Sequence, residues 1–204
     1  MKKILLASNN HGKAERFKRL VKNAGLEIEI LTPSELGIEE IDVVEDGATL
    51  ADNAEIKARA YFGTVEMPIL SNDTGFWIET QGFVDAPKRQ ALEGQDETTL
   101  SKEEISEKLL SFWKQIATDN GGEVNAAWTE AFTLLSPDSS IKTADSRREV
   151  VLTNRMFGEP HIQMPIRALY ISKTTNKPAI QHTKEEELEE MQPVIEALKK
   201  LLAG

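Results

Sequence analysis

Apolar positions recur along the chain with two periods, and the switches between them predict most of the elements. Residues 3–8 read as a buried strand. KAERFKRLVKNAG then sets Ala14, Phe17, Leu20, Val21 and Ala24 at helical spacing, with Gly25 as a stop. LEIEIL alternates and predicts a second strand, while ATLADNAEIKARAYF carries Leu50, Ala54, Ala58 and Tyr61 on one helical face. MPILSNDTGFWIET predicts a strand that breaks across residues 72–75, where turn-prone residues separate two apolar groups, and then resumes. Residues 82–98 are expected to form a loop. From Thr99 onward Ile105, Leu109, Leu110, Trp113 and Ile116 stripe a helix that ends at NGG. AAWTEAFTLLS and SRREVVLTNRM flank PDSS and predict an antiparallel pair; IRALYIS predicts a further strand. KEEELEEMQPVIEALKKLLAG is expected to form a helix, acidic first and basic last, with a break near Pro193. Strands alternating with helices in this order predict an α/β fold built on a mixed sheet. No repeat or linker is visible, so one domain over residues 1–204 is expected.

Composition narrows the function classes. With 40% apolar residues the 204-residue chain can bury a core. Its 34 acidic and 24 basic side chains give a net charge of -10, the wrong sign for coating nucleic acid through a broad basic surface. Nucleotide chemistry therefore needs a local basic pocket or a metal. The absence of cysteine removes disulfides, thiolate ligands and a cysteine nucleophile. The polar run after MKKILLAS leaves no room for a signal-peptide core, and no apolar run reaches the roughly 20 residues of a membrane span. A cytoplasmic location without membrane or nucleic-acid partners is the expectation.

Three polar clusters fall at predicted strand or helix ends, where open α/β sheets place ligands. In SNNHGK, Ser8, Asn9 and Asn10 offer donors, Gly12 lets backbone come close and Lys13 opens a helix. These are the parts of a phosphate cradle, and equally those of a simple turn. In EDGATLADNAEIKA, Thr49, Asn53 and Lys57 are spaced i, i+4, i+8 behind the acidic pair Glu45 and Asp46. That face either borders a cleft or is merely solvated. In SNDTG, Asp73 leaves a strong strand with Thr74 beside it, suited to Mg²⁺ or to orienting a water, or else to an Asx turn. Together, carboxylates, lysines and an anion loop suit Mg²⁺-assisted attack on a phosphate ester.

ILLASNNHGKAERFKRLV, VVEDGATLADNAEIKARAYF and MPILSNDTGFWI resemble, in order and spacing, the three N-terminal motifs of the inosine triphosphate pyrophosphatase (Ham1-like) family over residues 1–94. These are house-cleaning enzymes for non-canonical purine nucleoside triphosphates. The resemblance implies an elongated mixed sheet flanked by helices, two lobes around a central cleft, a Mg²⁺ requirement and a homodimer. It also implies hydrolysis between the α and β phosphates to a nucleoside monophosphate and pyrophosphate. By position it implies a triphosphate loop from Ser8 to Lys13, including Asn9, Asn10 and Lys13. Glu45 matches the acidic residue of the metal-holding "EtG" motif, and Asn53 and Lys57 match "NAxxKA". Asp73 and Thr74 match the second aspartate and serine of "DDSG", with Asp73 as metal ligand or general base and Lys57 as its catalytic companion. Arg89 falls at the arginine of "SAR", and Lys177 and His182 echo "KxAISHR", all three as substrate contacts.

The departures are specific. Asn72 stands where the family has the first aspartate of "DDSG". HIQMPIR replaces the purine-reading "FGYDPIF", keeping Pro165 and Ile166 and putting Met164 at the aspartate position, and Thr183 replaces an arginine. The alternatives these leave are the same chemistry on a different nucleotide, or a nucleotide-binding homologue with impaired catalysis.

Overall fold

A computed structural model describes residues 2–39 and 41–203; Met1, Glu40 and Gly204, the first and last belonging to the opening and closing segments read above, lie outside the described residues. The strands are β1 (Lys2–Leu6), β2 (Ile28–Leu31), β3 (Ile69–Ile78), β4 (Gly82–Phe83), β5 (Glu123–Leu135), β6 (Ile141–Thr153), β7 (Tyr170–Ser172) and β8 (Lys177–Pro178). The helices are α1 (His11–Asn23), α2 (Leu50–Ala60), α3 (Pro87–Leu92), α4 (Lys102–Asp119), α5 (Lys184–Glu190) and α6 (Gln192–Leu202). One eight-stranded sheet runs in the order β2-β1-β3-β5-β6-β7-β8, with β4 paired to β3. β1 is parallel to β2 and β3, whereas β3–β4, β6–β7 and β7–β8 are antiparallel, so the sheet is mixed as expected.

The chain divides into two compact units, and β3, β5 and β6 contribute residues to both. The first comprises Met1–Thr74, Thr129–Arg147 and Gln192–Gly204. In it α1 buries Ala14, Phe17, Leu20 and Val21, the stripe its spacing predicts, and Phe17 meets Phe132 edge-on with centroids 6.2 Å apart. Gly25 follows the helix at φ 71°, a conformation that ends helices cheaply only with glycine. Helix α2 is held at its start by a reciprocal cap between Thr49 and Asp52 and buries Ala54 and Ala58. Ala58 joins Leu5, Tyr61, Ile69 and Leu135 in a small core.

The second unit, Gly75–Trp128 and Arg148–Met191, is organised by aromatic rings. Phe76 stacks edge-on against Trp113 at 5.1 Å and Trp128 at 4.7 Å, and Trp128 continues to Tyr170 at 6.5 Å. Burial, followed by the Glu190 carboxylate, pushes the Tyr170 hydroxyl up to about 12. Glu190 itself is buried among Arg148 (3.3 Å), Tyr170 (3.4 Å) and His182 (3.2 Å).

Three expectations need correction. β3 runs unbroken through residues 72–75, because Asn72 and Asp73 find partners that satisfy their side chains in an extended backbone. Residues 82–98 are not only loop but hold β4, α3 and the start of a 3-10 turn, Glu97–Thr99. The first half of IRALYIS coils into a 3-10 turn started by Pro165, leaving only β7 extended. The closing helix does break near Pro193, as expected: it is two helices parted at Met191, with Pro193 in the opening turn of α6 where its missing N–H costs little.

Candidate functional site

Nine of the residues singled out from the sequence belong to the first unit, and two of them, Glu45 and Asp73, share a third, Lys57, as their cation. Lys57, about two turns into its capped helix, places Nζ 2.7 Å from Asp73 Oδ1 and 2.6 Å from Glu45 Oε2, with the Asn72 carbonyl at 3.5 Å. The Lys57 and Asp73 side chains are 13% and 15% exposed, Glu45 43%. This is a mostly buried ion pair that opens towards solvent at Glu45.

Local structure explains how each is held. Strand alternation turns Ser71 and Asp73 to α2, where the Ser71 hydroxyl donates to the Ala54 carbonyl and Asp73 meets Lys57. The Glu45 loop is locked to α2 by the Gly47 amide, which donates to Asn53 Oδ1 at 2.8 Å. A Cβ on Gly47 would lie 2.7 Å from both Asn53 Oδ1 and Asp52 Cβ, so only glycine fits there. Asn53, expected to touch substrate, therefore spends its oxygen on loop geometry.

The loop before α1 is likewise self-bonded. Ser8 Oγ accepts from the Asn10 amide at 3.2 Å, Asn9 Oδ1 accepts from the Ser34 amide at 3.0 Å, and Asn10 Oδ1 caps the helix through the Lys13 amide at 2.9 Å. A side chain at Gly12 would meet only Asn10 Oδ1, at 3.4 Å, so folding alone does not demand glycine there. Lys13 is half-buried and joins the charge cluster. Burial, then repulsion from Lys57, lowers its pKa from the usual lysine value; Asp73 and Glu45 oppose that, and Arg16 adds to it.

Two members went unnoticed in the sequence. Glu130 of β5 is fully buried, and both its oxygens accept from Arg16 of α1, at 2.6 and 2.7 Å. Its Oε2 lies 3.5 Å from Asn72 Nδ2, which also faces Thr74 Oγ1 at 3.2 Å. A lone glutamate inside the apolar run of β5 was the available signal, since buried carboxylates are nearly always paired.

The remaining three expected residues lie in the second unit, and among the described residues no hydrogen bond or ion pair joins them to one another. Arg89, on α3, is 75% exposed and pairs with Asp85 at 3.1 Å. It lines a cavity of about 470 Å³ with Lys88, Leu92, Gln95 and Glu97. Lys177 is exposed and pairs with Glu186. The His182 side chain is fully buried, with Nε2 2.8 Å from Thr175 Oγ1 and Nδ1 beside Glu190, a packing position rather than a surface one.

With this geometry in hand, known proteins give it a context. A dITP/XTP pyrophosphatase of Xanthomonas axonopodis pv. citri (strain 306) is 31% identical over 119 residues, 58% of this chain and 56% of that protein. One from Corynebacterium glutamicum (strain R) is 28% identical over 158 residues, 77% of this chain and 73% of that protein. The chain thus spans little more than half the length of the first of these relatives. In fold it is similar to the structure of a HAM1 protein from Coxiella burnetii, with a TM-score of 0.74 at 21% identity, covering 100% of this chain and 99% of that one. The sequence profile of the Ham1 family matches residues 4–161, well over half of the 204 residues, and the chain therefore belongs to the Ham1 family.

Proposed function

We propose that this chain is a Mg²⁺-dependent nucleoside triphosphate pyrophosphatase. It hydrolyses the phosphoanhydride between the α and β phosphates of non-canonical purine nucleoside triphosphates, giving a nucleoside monophosphate and pyrophosphate. The observation that carries this reading is the Lys57 ammonium held between Glu45 and Asp73, with Lys13 drawn into the same cluster. Relatives named dITP/XTP pyrophosphatase support the substrate class.

The donor set suits magnesium. Glu45 and Asp73 present hard carboxylate oxygens close enough to share one cation, and Mg²⁺ is commonly held by one or two carboxylates plus substrate phosphates. Among the described residues no group of three or more His, Asp or Glu could hold a metal by itself, so phosphate oxygens complete the shell in this reading. When bound, the ion supplies Lewis-acid polarisation of the phosphoryl oxygens.

The chain's own residues do the rest. Asn10 fixes the start of α1, whose amide dipoles favour an anion. Burial, then the neighbouring Lys57 charge, works against the protonated form of Lys13 in the free protein, and the negative charge of an incoming triphosphate opposes both. Lys57 trades part of its carboxylate contact for phosphate oxygens. Lys57 engages Oδ1 of Asp73, which leaves Oδ2 to accept a proton from water as that oxygen bonds to the α phosphorus and the bond to the departing pyrophosphate breaks. The test is Asp73→Asn, assayed for pyrophosphate release with Mg²⁺ across a panel of triphosphates. Turnover should fall by about 100-fold or more with the fold retained; an unchanged rate sinks the assignment.

One observation favours a second substrate. In HIQMPIR, Ile162 and Met164 are 44% and 45% exposed, and the segment is pinched by a bridge between His161 and Met164. A thioether and an aliphatic chain cannot donate or accept as an aspartate would, so a base other than a non-canonical purine is the alternative the same panel decides. The reading also carries a homodimer and a cytoplasmic location, to be checked by sedimentation and cell fractionation. Among the described residues no helix is long and apolar enough to cross a membrane.

A further inference from the structure

Position 72 lacks the carboxylate that the family pattern puts there, yet the fold brings one beside it from β5. Glu130 is fully buried, gripped at both oxygens by Arg16, and its Oε2 faces Asn72 Nδ2 at 3.5 Å. An ionised carboxylate only accepts, so Glu130 decides which way round the Asn72 amide sits. Nδ2 is turned to Glu130 and Thr74, while the buried Oδ1 has no hydrogen-bond partner among the described residues. Asn72 directly precedes Asp73, and its own carbonyl reaches Lys57 Nζ at 3.5 Å. A force on the Asn72 side chain is therefore a force on the Asp73–Lys57 pair.

We propose that Glu130 is a positioning residue for Asp73 and Lys57, acting through Asn72, and that residues 72 and 130 are coupled: the buried negative charge stands at 130 and is therefore excluded from 72. The catalytic half rests on the pyrophosphatase reading; the coupling does not. An aspartate at 72 would set a second carboxylate against Glu130 where the Asn72 amide now lies, in a nearly water-free setting. Arg16 is already engaged by Glu130, and Lys57 by Asp73 and Glu45. Glutamine at 130 relieves this, because its amide can donate to the new carboxylate while keeping one contact to Arg16.

Asn72→Asp, Glu130→Gln and the double variant are compared with the parent by thermal unfolding, folded yield and pyrophosphate release. Asn72→Asp alone should lower turnover about tenfold or more and reduce Tm by roughly 5 °C or more. Glu130→Gln alone should lower kcat about tenfold with KM within about twofold, as expected for loss of positioning rather than of binding. The double variant should exceed Asn72→Asp in Tm and in turnover. A double variant no better than Asn72→Asp in yield, Tm and turnover overturns the coupling, and an unchanged kcat in Glu130→Gln overturns the positioning role. If the parent releases no pyrophosphate from any triphosphate, the enzymatic reading fails instead, and the Tm comparison still decides the coupling.

Discussion

Replacing Lys57 with methionine keeps most of the side chain's apolar stem and removes only the charge that Glu45 and Asp73 share. The contact to Asp73 is short and mostly buried, so its loss costs about 2–3 kcal/mol, the range of hydrogen bonds between charged groups. The contact to Glu45 is equally short but 43% exposed on the glutamate side, and solvent screening limits it to about 1 kcal/mol at most. The Asn72 carbonyl at 3.5 Å adds little. A total of about 2–4 kcal/mol, at about 2–4 °C per kcal/mol for a chain of this length, lowers Tm by roughly 5–15 °C. Calorimetry or far-UV circular dichroism reads this directly. Pyrophosphate release should fall by about 100-fold or more, because a preorganised cation is lost where phosphate charge develops. Raising Mg²⁺ should recover more of the variant's Tm than it adds to the parent's, since the two carboxylates no longer hold an ammonium. A variant within about 2 °C of the parent, or one with the parent's Mg²⁺ response, would refute the reasoning.

Gly47→Ala should cost about 1–3 kcal/mol by forcing the Glu45 loop off α2, and should raise the Mg²⁺ concentration needed for half-maximal activity; chemical denaturation and a metal titration check the two effects. Glu190→Ala removes the buried carboxylate that accepts from Arg148 and Tyr170 and lies beside His182, a loss of about 3–5 kcal/mol measurable by urea unfolding. Acid should weaken the fold. Hydrogen bonds from the Thr32 amide and Lys18 hold the Glu35 carboxyl below its ordinary value of 4.5, Ser101 does the same for Glu104, and Lys177 and the Thr183 amide for Glu186. With folded pKa values depressed, the folded state binds fewer protons, so this contribution is present above the ordinary value and is lost as pH falls through the folded ones. Urea midpoints should be flat above about pH 5 and decline below about pH 4.5; a midpoint that rises on acidification contradicts the assignment.

How much of this was legible beforehand varied with the range of the interactions. Helices α1 and α2 were readable because Ala14, Phe17, Leu20 and Val21, and Ala54 and Ala58, bury at the spacing that local periodicity dictates. Lys57 and Asp73 were nameable from motif resemblance, and only the structure shows them joined. β3 was misjudged because Asn72, Asp73, Thr74 and Gly75 are turn formers in isolation. Their tendency yields once Glu130 and Lys57 satisfy the polar side chains in the extended state. The Arg16–Glu130 pair could not be found by pattern at all, since its members lie 114 positions apart. His182 shows the reverse failure, for a matching motif said nothing of its burial.

The three tryptophans, Trp77, Trp113 and Trp128, all belong to the second compact unit. Intrinsic fluorescence is therefore a one-sided instrument for this protein. Its emission follows the aromatic stack around Phe76, whereas the Lys13, Lys57 and Asp73 cluster has no indole in its own unit. A silent emission spectrum during nucleotide titration says nothing against occupancy of that cluster. An indole introduced into the first unit, for example at the exposed Phe62, would give the other half of the chain an optical signal of its own.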